Sequence, residues 1–215
     1  MKSNRLANKE NTIIKPINIA LFGFGRIGRN LFRLSYKDPR FNIVAISEYS
    51  HIETLHYLLS RDSIHGPLED DIGLDGDSFD IGNKKVRILP GDKPGEIPWV
   101  TLGADVVIDA TGHYLKRREL EKHLQAGAKR VIVTRTPEDD IDRIVVNGVN
   151  DASIQASDRI ISATSSTTQV LALMLKILHH HYTVKRALMT TIHAYTADQP
   201  LADAVGIDLR RSRSA

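Results

Sequence analysis

Residues 17–28 read INIALFGFGRIG, an apolar run followed at once by glycines at 23, 25 and 28. A strand that passes into a helix through glycines at this spacing begins a βαβ unit, because each glycine meets a separate steric demand. Gly23 permits the tight turn, Gly25 lets the backbone approach a pyrophosphate, and Gly28 lets the helix pack against the strand. The phosphate needs no lysine: free amides at the start of RIGRNLFRLSYKD, together with the helix dipole, attract an anion directly. A second apolar run, NIVAIS, ends beside Glu48, 20 residues after Gly28. A carboxylate there can accept hydrogen bonds from a ribose diol and would repel a 2′-phosphate. The pattern predicts a dinucleotide site that favours NAD and leaves NADP open. The plainer reading of Glu48 is a solvated strand end.

Further apolar runs follow at 86–89, 105–110, 130–134, 143–147 and 159–162, with a helical pattern over 115–130 that Gly127 closes. Strands alternating with helices imply a mostly parallel sheet covered on both faces, since parallel strands need crossover connections. The expected fold is α/β, a Rossmann-type doubly wound sheet. Residues 66–83, rich in Gly and Asp, read as turns or a peripheral hairpin.

Near residue 163 the pattern changes. The run ATSSTTQ precedes VLALMLKIL, which predicts a well-buried helix with hydroxyl residues at its start. VKRALMTTIH then predicts a strand ending at His193, followed by a long loop. The expected organisation is a basic tail over 1–16, a nucleotide-binding domain over 17–164, and the incomplete start of an α+β catalytic domain over 165–215.

Hydrophobic residues make up 41% and charged residues 26% of the 215 positions, ordinary values for a globular protein. The chain has no cysteine, which excludes disulfides and thiolate chemistry and agrees with a reducing compartment. No run is apolar enough for a membrane span or a secretory signal, so the expected location is the cytoplasm. Lys2, Arg5, Lys9 and Lys15 make one end basic, and Arg210, Arg211 and Arg213 the other. No aromatic residues interleave with them, so they read as solvated ends rather than a nucleic-acid platform. His179, His180 and His181 are consecutive, point about 100° apart on a helix, and cannot all face one metal. His65, His113 and His123 lack partners at ligand spacing and read as surface or structural.

The segments GFGRIGR, DSIHG, DATGHY, AGAKRVIVT, GVN, IISATSSTTQ, MTTIHAYTADQ and DLRRSRSA, in this order, resemble the glyceraldehyde-3-phosphate dehydrogenase family. Erythrose-4-phosphate dehydrogenases are close relatives. On the cofactor side the resemblance implies that Gly23, Phe24, Gly25, Arg26, Ile27 and Gly28 wrap the pyrophosphate of NAD. Glu48 stands where the family most often has aspartate, and Thr111, Gly112 and Thr134 follow the adenosine and nicotinamide contacts. Ser47 replaces the usual asparagine, and Asp92 stands where many relatives have arginine. On the substrate side the resemblance implies that Ser165, Thr167 and Thr196 hold inorganic phosphate or the phosphoryl group of an aldehyde, beside His193. It also implies homo-oligomeric assembly, and a catalytic domain longer than the one present. For Ser165 and Thr167, taken alone, the plainer reading is an ordinary helix cap.

The family attacks its aldehyde with a cysteine in the motif S-N-A-S-C-T-T-N. Ser166 occupies that position, and Ala163 and Gln169 also depart from the motif. A thiol of pKa near 8.5 is ionised by a neighbouring imidazolium and a helix dipole, whereas an aliphatic alcohol at neutral pH needs a general base. Three readings follow: a severely impaired aldehyde oxidoreductase, a catalytically silent nucleotide-binding pseudoenzyme fragment, and a serine esterase. The esterase would use His193 as base, with Asp198 the weak candidate to orient it.

Overall fold

A computed structural model describes residues 15–196, with 199, 202, 205, 209, 210, 212 and 213 beyond them. Lys2, Arg5, Lys9, Asp198 and Arg211 lie outside the described residues. The described residues form eleven strands, four α-helices and a short 3-10 helix. The first half runs β1 Ile17–Phe22, α1 Arg26–Ser35, β2 Phe41–Ser47, α2 Ile52–Ser60, β3 Arg61–Asp62, β4 Gly66–Pro67, β5 Gly73–Asp75, β6 Ser78–Ile81 and β7 Lys84–Leu89. The second half runs β8 Val106–Asp109, α3 Arg117–Gln125, β9 Arg130–Val133, β10 Arg143–Ile144, the 3-10 turn Asp151–Ser153, β11 Ile160–Ser162 and α4 Ser166–Tyr182.

Nine strands form one sheet in the order β10-β11-β9-β8-β1-β2-β7-β6-β5. Every pairing from β10 to β7 is parallel, and β6 and β5 add an antiparallel edge. The hairpin expected within 66–83 is therefore part of the main sheet. The chain enters at β1, winds outward to β7, returns beside β1 as β8, and winds the other way. The expected doubly wound sheet is present, and its order reverses between β1 and β8, where crevices for ligands open at the carboxyl ends of strands.

Both faces of the central strands are buried, as a parallel sheet requires. Ile19 and Leu21 of β1 face one core with Phe24, Phe32, Ile43, Ile46 and Phe79. Ala20 and Phe22 face the other, with Trp99, Val107 and Ala128. The β1–β2 register slips between Ile19 and Ala20, so that Ile19 meets Ile43 and Ala20 meets Ala45. Val44 is the extra residue, and both Val44 and Ala45 turn toward the second core.

Two expectations for the final segment fail. The helix over 166–182 forms, but none of its residues is buried, and Val170, Met174 and Ile177 are 60, 55 and 55% exposed. Apolar residues around its circumference signal burial only when another element covers them. VKRALMTTIH forms no strand, with Leu188 and Ile192 fully exposed. A strand exists only through its ladder partners, and this segment has none among the described residues. The chain divides into two compact units, the first ending at Lys176 and the second beginning at Ile177.

Candidate cofactor crevice and the start of α4

The crevice begins where β1 ends. Gly23 has φ of +92°, and a Cβ there would lie 2.8 Å from the Thr111 amide nitrogen, so glycine is required both for conformation and for space. At Gly28 a Cβ would lie 2.2 Å from the Gly23 carbonyl oxygen, which makes this glycine the contact between α1 and the turn. At Gly25 nothing lies within 4 Å of a Cβ position, so the backbone there faces open space. Gly25 is also the N-cap of α1, which has no side-chain cap and no acidic residue in its first turn. Its first amides are thus left for an anion.

Phe24 contributes through its backbone. Its ring is buried among Phe32 and Phe79 and anchors the turn to the core. Its amide donates to Glu48 Oε2 at 2.9 Å, while Glu48 Oε1 accepts from Tyr49 N–H at 2.8 Å. A carboxylate offers about four acceptor positions, so capacity for two ribose hydroxyls remains. Arg26 and Ile27 are exposed at the helix mouth. Arg29, not singled out from the sequence, donates to the Phe24 carbonyl at 3.0 Å and braces the same turn. Burial lowers its pKa from the usual arginine value, while Asp62 and Glu48 oppose that shift. Ser47 points inward and donates to the Gly91 carbonyl at 2.7 Å, tying β2 to the loop after β7.

The opposite wall comes from β8 and β9. Asp109 Oδ1 accepts from the Thr111 amide at 3.0 Å and the Thr111 hydroxyl at 2.6 Å, and the Asp109 carbonyl accepts from Thr134 N–H at 3.1 Å. Gly112 has φ of +73°, with the Arg135 side chain beside it. The path continues from Arg135, whose carbonyl accepts from Ser162 Oγ at 2.8 Å, to Thr164, whose amide donates to the same Ser162 oxygen at 2.8 Å. Thr164 has φ of +52°, a strained left-handed conformation for a β-branched residue, immediately before the start of α4.

Ser165 Oγ accepts from Thr168 N–H at 3.1 Å and lies 2.8 Å from Thr168 Oγ1, the geometry of a helix cap. Ser166 is exposed at the first position of α4, and Thr167 is half-buried. The Gln169 amide nitrogen donates to the Val145 and Ala163 carbonyls at 2.8 and 2.7 Å, and its oxygen accepts from Asn147 N–H at 3.1 Å. This departure from the family motif pins the helix start to the loop after β10. The first unit thus brings together the glycine turn, Glu48, Thr111, Gly112 and Thr134, and links them to Ser165–Thr167. His193 and Thr196 lie in the second unit, both exposed.

Residues 17–117 match the family model described as glyceraldehyde 3-phosphate dehydrogenase, NAD binding domain, and residues 165–215 match that of its C-terminal domain. The chain belongs to the glyceraldehyde-3-phosphate dehydrogenase family. It is 40% identical to the plasmid-encoded enzyme of Cupriavidus necator over 202 residues, which are 93% of this chain and 60% of that one. Against the Geobacillus stearothermophilus enzyme it is 38% identical over 200 residues, 93% of this chain and 59% of that one. Against the Mycoplasma pneumoniae enzyme it is 40% identical over 201 residues, 94% and 60%. The chain therefore spans about 60% of the length of these relatives. The cofactor of this domain is NAD. The residues present fit it: an open cradle at Gly25, uncapped helix amides and a carboxylate at the end of β2. No helix among the described residues is long and apolar enough to cross a membrane.

Proposed function

We propose that this chain binds NAD between the Gly23 turn and the Thr111–Gly112 turn, and that it carries a family aldehyde site severely impaired by serine at position 166. The observation that carries the coenzyme half is the open space at Gly25, facing the uncapped start of α1 with Glu48 beside it. In this reading the amides of Gly25, Arg26 and Ile27 meet the pyrophosphate, Gly28 keeps α1 seated, and Glu48 accepts from a ribose diol. Thr111, Gly112 and Thr134 line the remainder of the crevice. NAD, when bound, supplies the hydride acceptor.

Residues 17–164 then act as the coenzyme domain and 165–215 as the start of the catalytic one, in a cytoplasmic, homo-oligomeric protein. Its substrates are a small phosphorylated aldehyde and inorganic phosphate, with the hydroxyls of Ser165, Thr167 and Thr196 and the imidazole of His193 serving the anion and the proton. The Ser166 alcohol has a pKa far above that of a thiol, so the helix dipole and a nearby imidazolium do not convert it into an anion. An oxygen ester would also yield to phosphate less readily than a thioester.

A second reading, a catalytically silent NAD-binding protein, is favoured by the commitment of the Ser165 hydroxyl to the α4 cap and by the Gln169 pin. Calorimetry with NAD and a coupled assay on Ser166→Cys separate the two. Aldehyde- and phosphate-dependent NADH formation by that variant supports the impaired enzyme. NAD binding with no turnover supports the silent protein, and absence of NAD binding defeats both.

A further inference from the structure

His123 and Asp109 are 0 and 1% exposed, and the function proposed above uses neither. They approach across the core: His123 Nε2 lies 3.5 Å from Asp109 Oδ2, and neither buried atom makes a hydrogen bond. On its far side the imidazole is held by Trp99, whose indole Nε1–H donates to Nδ1 at 3.1 Å. An indole nitrogen only donates, so Nδ1 carries the lone pair and the ring proton sits on Nε2, the nitrogen on the carboxylate's side. The surroundings are apolar, with the Phe22 ring edge-on to the imidazole at 4.6 Å. A polar chain in such a place is costly unless its members satisfy one another.

The chain ends at the crevice. With Oδ2 facing His123, the Asp109 carboxylate presents Oδ1 to both donors of Thr111, the amide and the hydroxyl. Thr111 is the residue against which Gly23 packs, and its hydroxyl oxygen also accepts from His113 N–H at 3.2 Å. Its hydroxyl proton is thus committed inward, and toward a ligand the group offers only lone pairs.

We propose that Trp99, His123 and Asp109 form a buried positioning chain that orients the Thr111–Gly112 turn against the Gly23 turn, and so sets the wall of the crevice for coenzyme. The proposal rests on the coenzyme reading above. Because Trp99 fixes the tautomer, the imidazole acts as a directional donor rather than as filling, and the identity of the group at 123 must matter to Thr111.

Two amide replacements in the full chain test this. In His123→Gln the amide nitrogen reaches the place of Nε2 and can donate to Asp109. In His123→Asn the amide reaches only the place of Nδ1, accepts from Trp99 and leaves Asp109 Oδ2 with no donor near it. With NAD as the calorimetric probe, His123→Gln is expected to bind within about twofold of the parent and His123→Asn about tenfold more weakly. The Thr111 amide resonance should move, and exchange faster, only in His123→Asn. Equal effects of the two variants on Thr111 would overturn the proposal. If the parent protein binds no NAD while Thr111 still distinguishes the variants, the coenzyme reading fails and the positioning of the turn stands. Nitrogen-15 spectra of the parent imidazole give a test independent of variant folding. A proton on Nε2 is expected, and one on Nδ1 would sink the idea.

Discussion

The glycines of the first turn separate two roles that a substitution can tell apart. Gly28→Ala would place its methyl 2.2 Å from the Gly23 carbonyl oxygen, so α1 must lift from the turn. A loss of about 1–3 kcal/mol is expected by urea unfolding, the range for forced overpacking. Gly25→Ala enters open space from a φ of −68° that alanine accepts. Its thermal midpoint should therefore stay within a degree or so of the parent's, while NAD affinity in calorimetry falls about tenfold or more. If Gly25→Ala destabilised the fold and left binding unchanged, the cradle would be elsewhere. These roles were legible in the sequence because they depend on neighbours a few positions away. Asp109 and His123 were not: they are brought together by the packing of α3 on the sheet against β9 and β11, and His123 reads from spacing alone as surface or structural. Ser165 illustrates a third case, in which one hydroxyl suits both a cap and an anion, and the residue string holds nothing that chooses between them.

At the scale of elements, the strands of the nucleotide unit were legible as apolar runs because burial on both faces removes any need for alternation. The helix over 52–60 is not marked by an apolar run, although Ile52, Leu55 and Leu59 follow a helical period and the last two are buried. β10 is shorter than its apolar run suggests, since pairing with β11 reaches only Arg143 and Ile144. Asp142, just before β10, joins three elements: it accepts from Arg117 of α3 and from the amides of Arg159 and Ile160 at 2.8 and 3.0 Å. Burial works against its charge, but those hydrogen bonds prevail and hold its carboxyl below the ordinary value. The native state therefore binds fewer protons than the unfolded one around this group. Its contribution is complete above a pH of about 4 and disappears as pH falls through the lower native value. Asp142→Asn should lower the urea midpoint at about pH 7 and leave a smaller decline on acidification than the parent shows. Parallel acid profiles for the two proteins would assign the effect to other carboxylates.

For the molecule as a whole, the sheet edges and α4 handle exposure in opposite ways. The edge strands are short: β10 has two residues, and β5 has three, ending at Asp75 in an ion pair with Lys85. Short charged edges discourage pairing with other chains. α4 has no such protection, since Val170, Leu173, Met174, Ile177 and Leu178 are 42–60% exposed on a helix without buried residues. Its start is held by Gln169 and its middle by Lys176, whose ammonium donates to the Gly148 carbonyl, so the helix is anchored by polar contacts while its apolar side chains are exposed. Contiguous apolar surface of this kind binds amphiphilic dyes and promotes association. The full chain is therefore expected to enhance the fluorescence of an apolar dye in native buffer and to sediment as a concentration-dependent mixture. Replacing Val170, Met174 and Ile177 together by lysine should abolish both signals. The thermal midpoint should hold, because exposed side chains contribute little to the core and lysine has nearly the helix propensity of methionine. Sedimentation as a single monomer with no dye response in the unsubstituted chain would mean that α4 is covered in solution.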